Sequence, residues 1–296
     1  MEGTSERVAP RGPIREALEL VKFPHTVFAL PFALLSAFRA ASGVLSARAL
    51  LGILGAMVGA RTAAMCFNRI VDRSIDARNP RTASRALPAG RLTVSFAAGL
   101  CAAALALFFF SAYELNALAF RLAFPAAGLL FLYSYTKRFT SGSHLVLGLC
   151  LGIAPLGAWI AVRGRLDPAP AALAAAVVLW TAGFDVLYSL QDEAFDRSAG
   201  LRSIPALLGA RKALWLSAAF HAATLVFLGV FAAAVSGGMV FWTGIAAAAA
   251  ALAYQHAIVK PGDLSKLDAA FFTANGFLSL AVGLAGIADL WFPVHW

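Results

Sequence analysis

Asn68, Asp72 and Asp76 follow one another at intervals of four, directly after the apolar run Leu50–Phe67. On an α-helix each step of four turns about 40° and rises about 6 Å, so the three side chains form a ladder down one face. Through Arg91 the same stretch adds six arginines and two prolines. Carboxylate and amide oxygens bind hard divalent cations, and Mg²⁺ is typically held by a few carboxylates together with substrate phosphate. A ladder of such oxygens among arginines predicts a metal-bound phosphate.

A second set of acids lies in DVLYSLQDEAFDRSAGLRSIPALLG, which begins at Asp185. Asp185, Asp192 and Asp196 are offset by 0, 7 and 11. At about 100° per residue they fall within about 20° of one line, which predicts a shared helix face; Glu193 points away from it. The tails of the two stretches, RTASRALPAG and LRSIPALLG, each hold an arginine, a hydroxyl residue and a proline. With 120 residues between Asp72 and Asp192, an old internal duplication fits the pattern.

Five acids converging without a metal would repel one another. Bridging Mg²⁺ removes the repulsion and recruits a diphosphate, whose remaining oxygens Arg81, Arg85, Lys137, Arg138 and Arg202 are placed to neutralise. Diphosphate then becomes a better leaving group. The plainer alternative is a pair of ordinary loops whose acids pair with nearby arginines. The scarcity of acids weighs against it, because six of the 15 Asp and Glu fall in these two places. Lys137 and Arg138, a basic pair after an apolar run, are read first as a topology signal. Tyr188 faces either the cavity or the interfacial aromatic belt, and His25 has the same two readings. His144, His221, His256 and His295 show no ligand spacing and are read as structural or interfacial. Cys66, Cys101 and Cys150 sit singly in apolar runs as small buried hydrophobes.

The elements that must position these residues are membrane helices. The chain is 60% hydrophobic and 13% charged, with mean hydropathy +0.77, whereas a soluble domain is about 45–50% apolar and about 25% charged. Its net charge of +9 lies between apolar runs rather than in a nucleic-acid patch, so anionic headgroups or an anionic substrate are the expected partners. Nine runs approach the roughly 20 residues that cross a bilayer: 24–41, 48–67, 94–112, 115–135, 143–162, 168–190, 213–233, 237–258 and 269–291. Pro31, Pro125, Pro155 and Gly183 predict kinks within them. Residues 1–22 form a cytoplasmic segment without a signal-peptide pattern, in which Glu16–Val21 begins a surface helix. Residues 23–296 form one membrane domain. With the N-terminus cytoplasmic, 18 of 24 Lys and Arg fall on that side, together with both acidic sets, and the C-terminus lies outside. A transporter would carry its acids near the midplane in interrupted helices, not at one face among arginines.

These residues resemble the UbiA superfamily of intramembrane aromatic prenyltransferases. Asn68, Asp72 and Asp76 match its first motif, followed by Arg81-Thr82 and Leu87-Pro88-Ala89-Gly90. Asp192 and Asp196, with Asp185 upstream, match the second motif, and Tyr133, Lys137, Arg138 and Thr140 match the element between them. The resemblance spans about residues 20–290. It implies an all-α bundle of nine transmembrane helices around a central cavity open to the lipid, in a membrane such as the bacterial plasma membrane. It implies Mg²⁺ on Asn68, Asp72, Asp76, Asp192 and Asp196, holding the diphosphate of a polyprenyl donor whose tail lies in the membrane. Ionisation gives an allylic carbocation that an electron-rich aromatic ring attacks, with Asp72, Asp192, Asp185 and Tyr188 as catalytic residues. Asp185, about 10 Å deeper than Asp192 by helical rise, is placed near the ionising carbon or the acceptor.

The chain departs from many members in having Asn68-Arg69 where they have Asn-Asp, and Arg69 falls off the ladder face. That start and FPHTVFALPFALL (Phe23–Leu35) resemble menaquinone-pathway relatives of the 4-hydroxybenzoate polyprenyltransferases. Both kinds imply the same reaction in quinone biosynthesis. Haem, chlorophyll and ether-lipid synthesis are alternatives that change only the acceptor.

Overall fold

Long runs of alanine, leucine and phenylalanine without a polar face bury their backbone groups only as helices, and helices are what form. The computed structural model describes Glu16, Leu20, residues 28–292 and Val294; His25 and His295 fall outside them. In chain order the helices are α1 (Leu30–Ala40), α2 (Ala47–Val71), α3 (Arg73–Arg78), α4 (Val94–Leu115), α5 (Ala117–Thr136), α6 (Ser143–Arg163) and α7 (Ala169–Ser189). A 3₁₀ turn, Leu190–Asp192, leads into α8 (Glu193–Ser198), α9 (Ile204–Leu208), α10 (Ala210–Ala234) and α11 (Met239–Ile258). A π-helical segment, Ala269–Ala274, runs into α12 (Asn275–Ala288). Among the described residues there is no strand, only an isolated bridge between Lys260 and Asp263.

Each of the nine predicted spans holds helix, but only seven helical runs among the described residues are long and apolar enough to cross a membrane. Helix α1 has 11 residues, and its predicted span begins outside the described segment. Helix α11 has 20 residues, and Tyr254, Gln255 and His256 near its end dilute its hydropathy.

Helix α7 is the centre of the packing, flanked by α6 and α10. It buries Leu173, Val177, Trp180 and Phe184 against Phe32 and Leu35 of α1 and Phe231 of α10. Small residues let the backbones close up, as in other membrane bundles. A Cβ on Gly59 of α2 would lie 2.7 Å from Ala104 O of α4, and one on Gly152 of α6 would lie 2.9 Å from Ala174 O of α7. Two of the four expected kink positions do different work. Pro31 stands in the first turn of α1, where its missing N–H has no helical partner. Gly183 makes room for the His221 ring.

Side chains cap the helices that deliver the site. Ser46, Thr93 and Asn116 accept N–H bonds at the starts of α2, α4 and α5. On the face opposite the acidic motifs, Arg39 of α1 donates to Asp289 at 2.7 Å and to Gly286 O at 3.0 Å, tying α1 to the end of α12. The N–H groups of Gly238 and Phe241 also donate to the Asp289 carboxylate, at 2.9 and 3.3 Å. Of the N-terminal segment, Glu16 accepts from Arg91 at 2.9 Å and Leu20 packs with Ala63, Cys66 and Leu87.

Candidate active site

The ladder Asn68–Asp72–Asp76 forms across a joint rather than within one helix. Helix α2 ends at Val71, Asp72 caps it, and α3 begins at Arg73. The i to i−4 bonds run on through the joint, from Asp72 N to Asn68 O at 2.9 Å and from Asp76 N to Asp72 O at 2.7 Å. The side chains therefore stay in register, and Asn68 Nδ2 donates to Asp72 Oδ2 at 2.8 Å. The second ladder departs from expectation. The 3₁₀ turn at Leu190–Asp192 separates Asp185 on α7 from Asp196 on α8, so these acids do not share one continuous helix face. A 3₁₀ turn takes three residues where an α-turn takes 3.6, which rotates everything beyond it.

The acids also do not form one cluster. Among the described residues no three His, Cys, Asp or Glu side chains stand as a metal-ligand group. Like charges are kept apart because each motif acid has its own cation. Arg85 Nη1 reaches both oxygens of Asp76, at 2.7 and 2.8 Å. Arg138 Nη2 is 3.3 Å from Asp72 Oδ1 and donates to Val71 O at 3.0 Å. Lys137 Nζ is 3.4 Å from Asp196 Oδ2. Arg81 crosses between the motifs, Nε to Asp192 Oδ1 at 2.9 Å and Nη2 to Oδ2 at 2.5 Å. That paired geometry suits a guanidinium on a carboxylate. The plainer reading holds for Asp76 and Arg85, nine residues apart in one segment; Arg81 and Asp192 are 111 residues apart.

Burial and neighbouring charge both act on Asp72 and Arg81. Burial raises the Asp72 carboxyl above the ordinary range, and the hydrogen bond from Arg138 offsets that only in part. For Arg81, burial works against the cation, but Asp192 outweighs it and holds the guanidinium above its usual value.

The remaining predicted residues divide. Tyr188 is half-buried, its ring 4.2 Å from that of Phe271, with the Arg81 guanidinium 5.7 Å from its centroid. It stands beside the motifs. Arg202 Nη1 donates to Phe139 O at 2.9 Å and its backbone N–H to Lys137 O at 2.7 Å, and among the described residues it pairs with no acid. Asp185 meets His144 of α6, Nδ1 to Oδ2 at 2.6 Å. Glu193 lies off the site and pairs with Arg197 at 3.0 Å.

Four residues join the site that spacing did not single out. Arg69, expected off the ladder face, is buried and reaches back to within 3.9 Å of Asp76 and 3.5 Å of Asn68 Oδ1, because its side chain is long enough to turn the corner. Asn79 is buried, donates to Asp192 Oδ1 at 3.0 Å and accepts from Arg81 N. A polar residue just before Pro80, at the helix end, was the available signal. His144, read as structural or interfacial, is fully buried on Asp185. Arg61 belongs to the cavity.

Beneath the motifs lies a cavity of about 540 Å³ walled by α2, α4, α5 and α6. Asn68 and Tyr133 line its end nearest the motifs, and Ile53, Leu115 and Leu166 its far end. From Asn68 to Ile53 the rise along α2 is about 22 Å, most of a bilayer's hydrocarbon core. Of the residues lining it, Arg61 alone is charged. An apolar cavity capped at one end by oxygens and guanidinium groups suits a molecule with a long hydrocarbon tail and an anionic head.

Comparisons agree with that arrangement. The profile of the UbiA prenyltransferase family matches residues 29–280. A 4-hydroxybenzoate octaprenyltransferase of Pseudomonas aeruginosa is 30% identical over 250 residues, 84% of each chain. One from Vibrio cholerae is 28% identical over 252 residues, 85% of this chain and 88% of its own. The apo structure of a UbiA homolog from Aeropyrum pernix superposes with a TM-score of 0.81 at 34% identity, covering 90% of this chain and 98% of that one. A UbiA homolog from Archaeoglobus fulgidus, bound to GPP and Mg²⁺, shares the fold at 21% identity and a TM-score of 0.67, covering 93% and 99%. With a prenyltransferase at this level of identity, the transporter reading falls away. The chain belongs to the UbiA prenyltransferase family and is an integral membrane prenyltransferase.

Proposed function

We propose that this enzyme transfers a polyprenyl group from its diphosphate to a carboxylate-bearing aromatic acceptor in quinone biosynthesis, with Mg²⁺ on the two acidic motifs. The observation that carries the reading is the bidentate bond of Arg81 to Asp192, which brings both motifs together above an apolar cavity. The donor set fits the metal in kind: four carboxylates and an amide oxygen, from Asp72, Asp76, Asp192, Asp196 and Asn68, are hard ligands for a hard cation. Mg²⁺ held there offsets the charge of a diphosphate and eases its departure.

The chain's own residues do the rest. Arg81, Arg85, Lys137 and Arg138 stand on the acids, and each keeps further N–H donors that could serve phosphate oxygens. Arg202 holds the loop that carries Lys137. The cavity keeps the prenyl tail and the reacting carbon from water. Arg61, seven residues and about 10 Å from Asn68 along α2, offers a carboxylate partner to the acceptor. Asp185 and Tyr188 border the reacting carbon or the ring. The relatives named for 4-hydroxybenzoate support that acceptor, and a futalosine-derived aromatic acid satisfies the same chemistry. Residues 23–296 act as one catalytic unit in the plasma membrane, with the motif face cytoplasmic, in keeping with the distribution of basic residues.

Purified protein given GPP, Mg²⁺ and 4-hydroxybenzoate is expected to form prenylated acid and diphosphate. Excess EDTA stops it and added Mg²⁺ restores it; full activity in EDTA would falsify the metal assignment. Product from a futalosine-type aromatic acid, with none from 4-hydroxybenzoate, shifts the acceptor to the menaquinone branch.

A further inference from the structure

Outside the two metal motifs, a buried histidine governs the acid assigned to the reacting centre. His144 stands in the first turn of α6 with no exposed surface. Its Nε2 lies 3.2 Å from the backbone N of Ile204, at the start of α9. A peptide N–H only donates, so Nε2 must be the bare, accepting nitrogen. The ring is then neutral, its hydrogen sits on Nδ1, and Nδ1–H donates to Asp185 Oδ2 at 2.6 Å. Asp185 is left with Oδ2 occupied. Its Oδ1 takes no hydrogen bond among the described residues, and the side chain keeps 19% exposure in an otherwise tightly packed helix.

We propose that His144 is a positioning residue that fixes Asp185 as the base for the acceptor's ring proton; this rests on the transfer reaction proposed above. As the allylic C–O bond breaks, diphosphate leaves with the electron pair. A ring carbon of the acceptor then forms the new C–C bond to the allylic carbon. That ring carbon must next lose its hydrogen: the proton passes to Asp185 Oδ1, and the C–H electron pair restores the aromatic ring. A neutral imidazole suits this task, because it orients the carboxylate without setting a full positive charge against it. Ile204 follows Arg202 and Ser203, and Arg202 N bonds to Lys137 O. The same tether therefore joins the base to the loops that hold Lys137 and Asp196.

The test uses full-length protein, GPP, Mg²⁺ and 4-hydroxybenzoate carrying deuterium at the ring positions flanking the hydroxyl. His144→Leu is expected to lower kcat about 10²-fold, the scale of positioned base catalysis, with KM for GPP unchanged. It is also expected to expose a primary isotope effect on transfer, which a general loosening of the fold would not produce. In His144→Asn the amide nitrogen takes the place of Nδ1, so most of the rate returns and the isotope effect shrinks. Asp185→Asn, which keeps its size and still accepts from His144, is expected to show the isotope effect too, and it serves if His144→Leu does not fold. A wild-type rate in His144→Leu, a loss confined to KM for GPP, or slowed variants without an isotope effect each overturn the proposal. Wild-type protein that transfers nothing to 4-hydroxybenzoate or to a futalosine-type aromatic acid overturns the reaction reading instead, and this proposal with it.

Discussion

The two acidic arms are built alike and held differently. In each, an aspartate that follows a long helix, Asp72 directly and Asp192 through a 3₁₀ turn, stands just before a six-residue helix carrying the next one, Asp76 or Asp196. The first arm is largely self-contained: Asn68 holds Asp72, Arg85 holds Asp76, and Thr82 Oγ1 donates to Asp76 O at 3.0 Å. The second arm borrows. Asp192 depends on Arg81 and Asn79 of the first arm, Asp196 on Lys137, and Asp185 on His144. Between the arms themselves the contacts run one way, from Arg81 and Asn79 of the first to Asp192 of the second. Arg138, Lys137 and His144, where α5 gives way to α6, reach Asp72, Asp196 and Asp185.

Given that asymmetry, the crossing pair is the most sensitive point. Arg81→Ala and Asp192→Asn are each expected to lower kcat/KM for the prenyl diphosphate by about 10³-fold, the upper range for one preorganised electrostatic contact. The double variant should be little worse than either, because the two act as a unit. Losses that multiply would break the comparison, showing Arg81 and Asp192 to work independently.

Asn79 sharpens it with a smaller effect. Its amide bridges the arms, whereas the Thr82 hydroxyl stays within the first, and both side chains are buried. Asn79→Ala is expected to lower Mg²⁺ affinity or activity about 10–100-fold, as for other groups that orient metal ligands. Thr82→Ala should cost about 1 kcal/mol of stability and leave turnover near wild type. Equal effects of the two on turnover would remove the distinction between bridging and local support.

The sequence carried what lies within one element and little of what passes between elements. Ladder spacing and apolar runs are periodic, so the positions of Asn68, Asp72 and Asp76 and of the spans were legible from pattern alone. The pairing of Arg81 with Asp192, or of His144 with Asp185, depends on how helices far apart in the chain are packed, and no spacing encodes it. The 3₁₀ turn at Leu190–Asp192 was hidden for a related reason: no proline or glycine marks it, and it is defined by Asp192 meeting Arg81 and Asn79. Arg69 was misjudged because the angle of a Cα–Cβ bond says little about where a long, flexible side chain ends.

The smallest expected effect concerns Arg202, which the sequence groups with the diphosphate ligands. Its guanidinium is spent on Phe139 O, and its backbone N–H holds Lys137 O whatever the side chain. Arg202→Ala therefore removes one hydrogen bond to a carbonyl on the exposed side of the loop. The expected cost is about 1 kcal/mol, roughly a factor of five in KM for the prenyl diphosphate, with kcat unchanged. Lys137→Ala, which strips Asp196 of its cation, should cost clearly more in the same assay. Should Arg202→Ala instead raise KM as much as Lys137→Ala, Arg202 leaves Phe139 to reach the phosphate. The second arm would then supply a cation of its own, and the one-way dependence between the arms would fail.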